Sequence, residues 1–265
     1  MKIAILNDTH CGCRNSSDIF MDYQERFYSE VFFPYLKQNG ITQILHLGDY
    51  YDNRKTINLK ALNHNRQIFL DKLREYNIHM DIIPGNHDAR EPMRAAFADL
   101  LPKAGPLDWI RQVGDLTMVG LDTLIEGTGK GTLSAQSLAF LTDALAKAKN
   151  DPVLLALHHP PFPSGIGFMD DIGLTNRAEF CETIANYQGK LRVVCGHIHS
   201  MMVVDCAGHI AISAPSPCST FAYDLRTDAP VGFMTQEDGC LVHKWDAGFQ
   251  SVRIGSVAGT GPFPF

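Results

Sequence analysis

The sequence lacks the features that would mark a membrane, fibrous or nucleic-acid-coating protein. No stretch of its 265 residues approaches the roughly 20 apolar positions a membrane span needs. The apolar run at the start, Ile3-Ala4-Ile5-Leu6, is shorter than the ~7–15 residues of a secretory signal core, so the expectation is a cytoplasmic protein with no membrane partner. Basic charge is in deficit. Lys and Arg number 23 against 29 Asp and Glu, a net charge of −6, which disfavours a surface that wraps nucleic acid by bulk attraction. There is no block of like charge, no internal repeat and no low-complexity linker. The seven cysteines are odd in number and scattered from Cys11 to Cys240, which is not a disulfide framework. Cys11-Gly12-Cys13 has no second pair to complete a four-sulfur metal site and reads as incidental thiols.

What is present is a core-forming chain, 45% hydrophobic and 20% charged, in which short apolar runs alternate with longer periodic segments. Ile3–Leu6, Ile41–Leu47 and His79–Ile83 read as buried strands. Met21–Asn39 and Leu59–Tyr76 between them have helical spacing. This β-α-β-α-β order implies parallel strands with right-handed crossovers. The second half repeats the alternation. Strands are expected at Leu116–Leu121, Val153–Leu157 and Leu191–Cys195, and helices at Ala135–Ala148 and Asn176–Tyr187. After residue 200 the pattern turns to strands alone, at Met201–Val204, His209–Ser213, Val231–Thr235 and Cys240–Asp246.

The strands of the α/β body end at residues able to bind cations. They supply Asp8-Thr9-His10, Asp49, Asn86, His158, and His197 with His199. In open α/β sheets, ligand sites gather beyond the carboxyl ends of strands, so side chains distant in sequence can meet there. Two Asp, one Asn and four His make seven donors. One ion takes four to six, so seven with a shared carboxylate suit two. Mixed nitrogen and oxygen donors favour Mn, Fe, Co or Zn over Ca or Mg. Asp-x-His and His-x-His put both side chains on one face if the segment is extended. Gly48, Gly85 and Gly196, each just before a donor, would permit sharp turns and a close approach of substrate to the backbone.

Asp8-Thr9-His10, Gly48-Asp49, Gly85-Asn86-His87-Asp88, His158 and Gly196-His197-Ile198-His199 together resemble the motif set of the calcineurin-like metallophosphoesterases. The resemblance implies a four-layer α/β/β/α sandwich of two mixed sheets with a two-metal centre between them. It implies that Asp8, His10 and His199 hold one divalent transition-metal ion, that Asn86, His158 and His197 hold the other, and that Asp49 bridges. His87 would bind no metal but would sit by the substrate phosphate and serve the leaving oxygen. The whole chain, 1–265, would be a single domain. Residues 1–200 would form the metal-binding α/β core. Residues 201–265 would form a β-rich tail that completes the second sheet or makes a homodimer contact.

Two branches of that family are visible. From Asn39-Gly40-Ile41-Thr42 through Gly48-Asp49-Tyr50-Tyr51-Asp52-Asn53-Arg54-Lys55 to Asp88, the chain resembles phage and bacterial DNA-repair exonucleases. From about residue 115 it resembles cyclic-nucleotide and glycerophosphodiester phosphodiesterases. That likeness rests on His158-His159-Pro160-Pro161-Phe162-Pro163, Gly196–Ser200, Ala229-Pro230-Val231-Gly232-Phe233 and the ending Gly261-Pro262-Phe263-Pro264-Phe265. A mosaic joined within 88–115 would explain both. The expected activity is hydrolysis of small phosphodiesters by a hydroxide generated at the two cations, with a DNA exonuclease as the alternative. The acidic net charge and a tail without basic runs weigh against the alternative.

Other residues carry weaker expectations. His46, His64, His79, His209 and His243 read as structural. His159 could compete with His158 as the donor, but the first His of His-His-Pro matches the family motif, which leaves His159 as a supporting or substrate-facing neighbour. Asp52 and Asp88 read either as groups that orient His87 and the ligands or as turn and cap residues. Asp170-Asp171 reads as a solvated loop rather than a second acidic metal pair, and Arg54-Lys55 as a surface feature rather than a phosphate contact. Phe162, Phe168 and Met169 read either as the wall of a base pocket or as ordinary packing.

Overall fold

The computed structural model describes residues 1–226, 228–234 and 239–255. Gly261–Phe265, and Thr235 of the strand expected at Val231–Thr235, lie outside the described residues.

Two large mixed sheets carry the chain. The first is built from β1 (Lys2–Leu6), β2 (Gln43–His46) and β3 (His79–Ile82), which run parallel as the β-α-β-α-β order requires. After an initial loop each crossover is continuously helical, over 18–39 in the first and 59–75 in the second. Each holds a π-helical stretch, Phe27–Phe32 in the first and Arg66–Leu70 in the second. These wider turns bring Tyr28 against Phe69, with ring centroids 4.9 Å apart, inside an apolar layer that also holds Phe27, Phe32 and Phe33. Gly40 closes the first segment in the left-handed conformation, at φ 63°, with its N–H on the Leu36 and Lys37 carbonyls.

The second sheet contains β4 (Trp109–Val113), β5 (Leu116–Leu121), β6 (Val153–Leu157), β7 (Leu191–Cys195), β8 (Met202–Cys206) and β9 (His209–Ser213). They lie in the order β4-β5-β6-β7-β9-β8, with β5, β6, β7 and β9 parallel. Alternation along these strands defines the layers. Leu116 and Met118 of β5, and Leu154 and Ala156 of β6, join the core shared with the first sheet. Val119, Leu121, Val153, Leu155 and Leu157 face the other way, onto the helices Ala135–Ala148 and Arg177–Ile184. The result is α/β/β/α. Trp109 ties the layers together by donating its indole N–H to the Ile82 carbonyl at 2.8 Å.

The tail departs from the expectation. β8 and β9 complete the second sheet, but β12 (Cys240–Trp245) and β13 (Phe249–Ile254) do not. They cross to the first sheet, which reads β13-β12-β1-β2-β3, with β12 antiparallel to β1. Two-residue strands β10 (Thr220–Phe221) and β11 (Phe233–Met234) pair as a separate ribbon. β4, β13 and the helices Arg90–Ala96 and Gly167–Asp171 carry no element in the sequence reading. β4 and β13 are edge strands with mostly exposed alternate residues, so no apolar run marks them. Among the described residues no helix is long and apolar enough to cross a membrane.

Candidate metal centre

All seven donors lie on loops that leave the carboxyl ends of parallel strands, and they converge between the two sheets. They form two groups. Asp8 Oδ1 is 3.5 Å from His10 Nε2 and 3.3 Å from His199 Nε2, and the two imidazole nitrogens are 3.2 Å apart. Asn86 Oδ1 is 3.1 Å from His158 Nε2 and 2.9 Å from His197 Nδ1. Asp49 stands between the groups, its Oδ2 3.7 Å from His10 Nε2 and 3.5 Å from His158 Nε2. All seven residues are buried.

The backbone geometry differs from the expectation. Asp-x-His and His-x-His are not extended. Asp8 (φ 46°), His10 (φ 41°), Asp49 (φ 53°), His197 (φ 71°) and His199 (φ 52°) are all left-handed, a conformation that costs a non-glycine residue about 1–2 kcal/mol. The i, i+2 side chains converge because each loop kinks, not because a pleat aligns them. Hydrogen bonds hold the kinks. Asp8 N–H donates to the Gly48 carbonyl at 3.2 Å, His10 N–H to the Asp49 carbonyl at 3.0 Å, and His197 N–H to Asp8 Oδ2 at 2.8 Å.

The glycines also serve a different purpose from the one expected. A Cβ on Gly85 would lie 2.1 Å from Asp49 Oδ1, and one on Gly196 would lie 2.0 Å from Asn7 Oδ1 and 3.0 Å from Asp8 Oδ2. The close approach is made by the protein's own polar side chains rather than by a substrate. Gly48 does supply a turn, at φ 98°.

Tautomers can be assigned where a ring nitrogen meets a carbonyl, because a carbonyl only accepts. His158 Nδ1 donates to the Leu47 carbonyl at 2.8 Å, and His199 Nδ1 donates to the Ser219 carbonyl at 2.9 Å. In each neutral ring Nε2 is then a lone pair, and it faces other acceptors: Asn86 Oδ1 and Asp49 Oδ2 for His158, Asp8 Oδ1 for His199. Acceptors converging on acceptors need either an extra proton or a cation between them. Asp8 Oδ1 and His197 Nε2 are buried without a hydrogen-bond partner. Two buried carboxylates with four imidazoles therefore fit divalent cations.

Ionisation in the ion-free protein agrees. Burial penalises the Asp8 carboxylate, yet His199, His158 and His10 outweigh it and hold the group well below the usual range. Burial disfavours protonated His10, but Asp52, Asp8 and Asp49 raise it well above an ordinary imidazole. Burial, reinforced by His159 and His158, pushes His197 well below.

Neighbouring residues find their places. His159 lies with His158 and His197 in a group that could hold an ion, but both of its ring nitrogens are engaged by the protein. Nε2 donates to the Gly129 carbonyl at 3.0 Å and Nδ1 meets Thr123 Oγ1 at 2.8 Å, and burial lowers the group to about 3. His46 is likewise structural, between Thr9 Oγ1 at 3.1 Å and the Gly48 N–H at 3.2 Å. Asp88 is a clamp. Its carboxylate accepts the N–H groups of Asp49 at 2.7 Å and Gly85 at 2.8 Å, fixing the Asp49 loop to the Asn86 loop, while burial and the Asp49 charge raise it to about 7. Asp52 Oδ1 is 3.4 Å from His10 Nδ1, and its backbone carbonyl accepts from His87 Nδ1 at 2.6 Å. Asp170 is not a solvated loop residue; it binds Ser164 N–H at 2.6 Å and Gly165 N–H at 2.9 Å and shapes that loop.

The sequence reading passed over Asn7 and Ser216. Asn7 packs on Gly196 and donates to the Ala214 carbonyl at 3.0 Å, and Ser216 donates to the Asp8 carbonyl at 2.7 Å. Asn7 adjoins a motif, which is a faint signal; Ser216 has none.

His87 is half-buried at the rim of a cavity of about 430 Å³ that opens on the donors. Phe20, Phe168, Phe221 and Phe233 line it together with Met169. Phe162 is packed in the core instead. Arg54 and Lys55 line a separate cavity of about 400 Å³ on the far side of His87.

Comparison with known proteins agrees with this architecture. The profile of the calcineurin-like phosphoesterase family matches residues 1–201. The chain is 29% identical over 234 residues to a protein of Arcobacter nitrofigilis named a probable glycerophosphodiester phosphodiesterase, GpdQ, covering 84% of this chain and 81% of that one. It is 33% identical over 215 residues to a probable cyclic nucleotide phosphodiesterase of Rhodopseudomonas palustris, covering 75% and 72%. Among solved structures, a dimetal phosphatase from Danio rerio superposes with a TM-score of 0.67 at 13% identity, covering 96% of each chain, a likeness of fold.

Proposed function

The chain belongs to the calcineurin-like phosphoesterase family, and from that premise we propose that it hydrolyses small phosphodiesters (cyclic nucleotides, glycerophosphodiesters and aryl diesters) at a centre of two divalent transition-metal ions. One observation carries the reading. Asp49 Oδ2 sits between two complete donor groups, 3.7 Å from His10 and 3.5 Å from His158, at the floor of a cavity sized for a small molecule. In this reading Asp8, His10 and His199 would hold one ion, Asn86, His158 and His197 the other, and Asp49 would serve both. Two cations held there would supply neutralisation of the diester's charge and a lowered pKa for water, enough to make hydroxide near neutral pH.

The chain's own residues do the rest. Asp49 keeps Oδ2 for the centre by spending Oδ1 on the His87 N–H, at 2.7 Å. Asp88 fixes the two loops that carry Asp49 and Asn86. His87 gives its Nδ1–H to the Asp52 carbonyl and lines the cavity, and in this reading its ring serves the leaving oxygen with a proton or hydrogen bond, typically worth ~10²–10⁴ in rate. The four phenylalanine rings suit a base or aryl substituent. The interleaving of tail strands into both sheets supports reading the chain as one domain. β8 is an edge strand with Val203 exposed, which supports pairing with a second copy across a two-fold axis; sedimentation as a monomer at working concentration would remove that dimer.

The test is a panel. Manganese-loaded protein is offered cyclic AMP, glycerophosphocholine, bis(4-nitrophenyl) phosphate and linear DNA. Turnover of the small diesters with slow or absent DNA degradation is expected. Rapid DNA degradation with inert small diesters would replace this reading with an exonuclease.

A further inference from the structure

Two thiols stand at the wall of the donor cavity for which the proposed chemistry has no use. Cys13 follows His10 by three residues, its N–H bound to the His10 carbonyl at 2.9 Å. Cys218 precedes Ser219, whose carbonyl holds His199 Nδ1 at 2.9 Å. The two residues are 205 apart in sequence, yet their Sγ atoms are 3.4 Å apart, and both line the cavity. We propose that Cys13 and Cys218 are a peroxide-sensitive dithiol that closes to a disulfide beside the metal centre and switches the enzyme off.

The step balances. Cys13 thiolate attacks one peroxide oxygen, the O–O bond breaks, and the departing hydroxide takes up the thiol's proton as water. Cys218 sulfur then attacks the resulting sulfenic sulfur, an S–S bond forms, and its proton leaves with the hydroxyl as a second water. Two thiols are oxidised and one peroxide is reduced. Both sulfurs line the cavity that peroxide enters, and the same balance holds if Cys218 attacks first and Cys13 closes the bond.

The molecule carries an internal comparison. Cys181 and Cys206 are also close, at 3.5 Å, but they do not line the cavity, and burial raises Cys206 to about 12. The inhibitory consequence rests on the reading of the cavity as catalytic. A disulfide needs its sulfurs about 2.05 Å apart, closer than the 3.4 Å at which they stand, and the bond would tie the segment that follows His10 to the neighbour of Ser219, which holds His199. A displacement near 1 Å at a reacting centre costs about 10²-fold.

The experiment uses the full chain loaded with zinc, which peroxide cannot oxidise. Peptide mapping after peroxide should find a Cys13–Cys218 linkage, two hydrogens lighter. The rate on bis(4-nitrophenyl) phosphate should fall about 100-fold and return with dithiothreitol. Cys218→Ser should keep through peroxide the rate it starts with, and Cys206→Ser should respond like the parent. Free thiols at both positions, or a Cys181–Cys206 linkage alone, would overturn the proposal. A second readout is independent of turnover: the linked protein should lose zinc to a chromophoric chelator faster than the reduced one. If no diester is cleaved, that readout still decides, since a linkage that leaves zinc loss unchanged refutes the switch.

Discussion

Gly85→Ala tests whether the approach of the Asn86 loop to Asp49 sets the centre's geometry. The added Cβ would sit 2.1 Å from Asp49 Oδ1, 2.6 Å from its backbone nitrogen and 2.8 Å from Cγ. Ordinary contact begins near 3.4 Å, so the carboxylate must retreat by about 1.3 Å. It cannot do so and keep both Oδ1 on the His87 N–H at 2.7 Å and Oδ2 between His10 and His158. A displacement of that size costs about 10²-fold or more in kcat/KM, which is roughly 2.7 kcal/mol of transition-state stabilisation. Manganese content per chain should fall as well. The assay pairs elemental analysis with initial rates on bis(4-nitrophenyl) phosphate, and far-ultraviolet circular dichroism checks the fold. Gly167→Ala is the matched control. It begins a short helix, a Cβ there meets nothing within 4 Å, and it should keep the parent's rate while gaining ~0.4–1 kcal/mol from the less flexible unfolded chain. A folded Gly85→Ala protein with full metal content and full rate would refute the reasoning.

Four further outcomes follow from the same structure. His87→Ala should lower kcat by ~10²–10⁴ on alkyl diesters and much less on 4-nitrophenyl diesters, whose leaving group needs no proton; equal losses on both would remove the leaving-group role. In the ion-free protein Asp52, Asp8 and Asp49 hold the proton on His10, which must depart before the ring can bind a cation. Manganese affinity should therefore rise with pH and its binding should release protons, measured by calorimetry in buffers of different ionisation enthalpy. His243, buried beside Arg192, is lowered to about 3, so the native ring stays neutral while the unfolded one charges below about 6.5. Its contribution is thus lost as pH falls: the stability difference between the parent and His243→Gln should narrow by about 2–3 kcal/mol from pH 7 to 4.5 in urea titrations, and a constant difference would refute the assignment. Asp122 accepts Arg90 Nε at 2.7 Å and Nη2 at 2.9 Å and the Leu107 N–H at 2.8 Å, and is itself buried. Asp122→Ala should cost about 3–5 kcal/mol by stranding those donors, and a loss below 1 kcal/mol in the same titration would show the pair to be dispensable.

The strand-end donors were legible in the sequence because they depend on local pattern alone. Ile3–Leu6, Val153–Leu157 and Leu191–Cys195 are apolar runs that stop at Asp8, His158 and His197, and a buried parallel strand must be apolar until it reaches the open edge of the sheet. The alternation of such runs with amphipathic segments likewise carried the α/β order. What no local pattern holds is the direction of a side chain after a kink. Only the folded chain turned His158 inward and occupied both nitrogens of its neighbour His159, set five donors in left-handed backbone, and pressed Gly85 and Gly196 against Asp49 and Asn7. Only it sent β12 across to pair with β1, because the partner of an edge strand is chosen by what the rest of the chain leaves open. The pairing of Cys13 with Cys218 is of the same kind: periodicity reports what a segment buries, and long-range contact reports what meets it there.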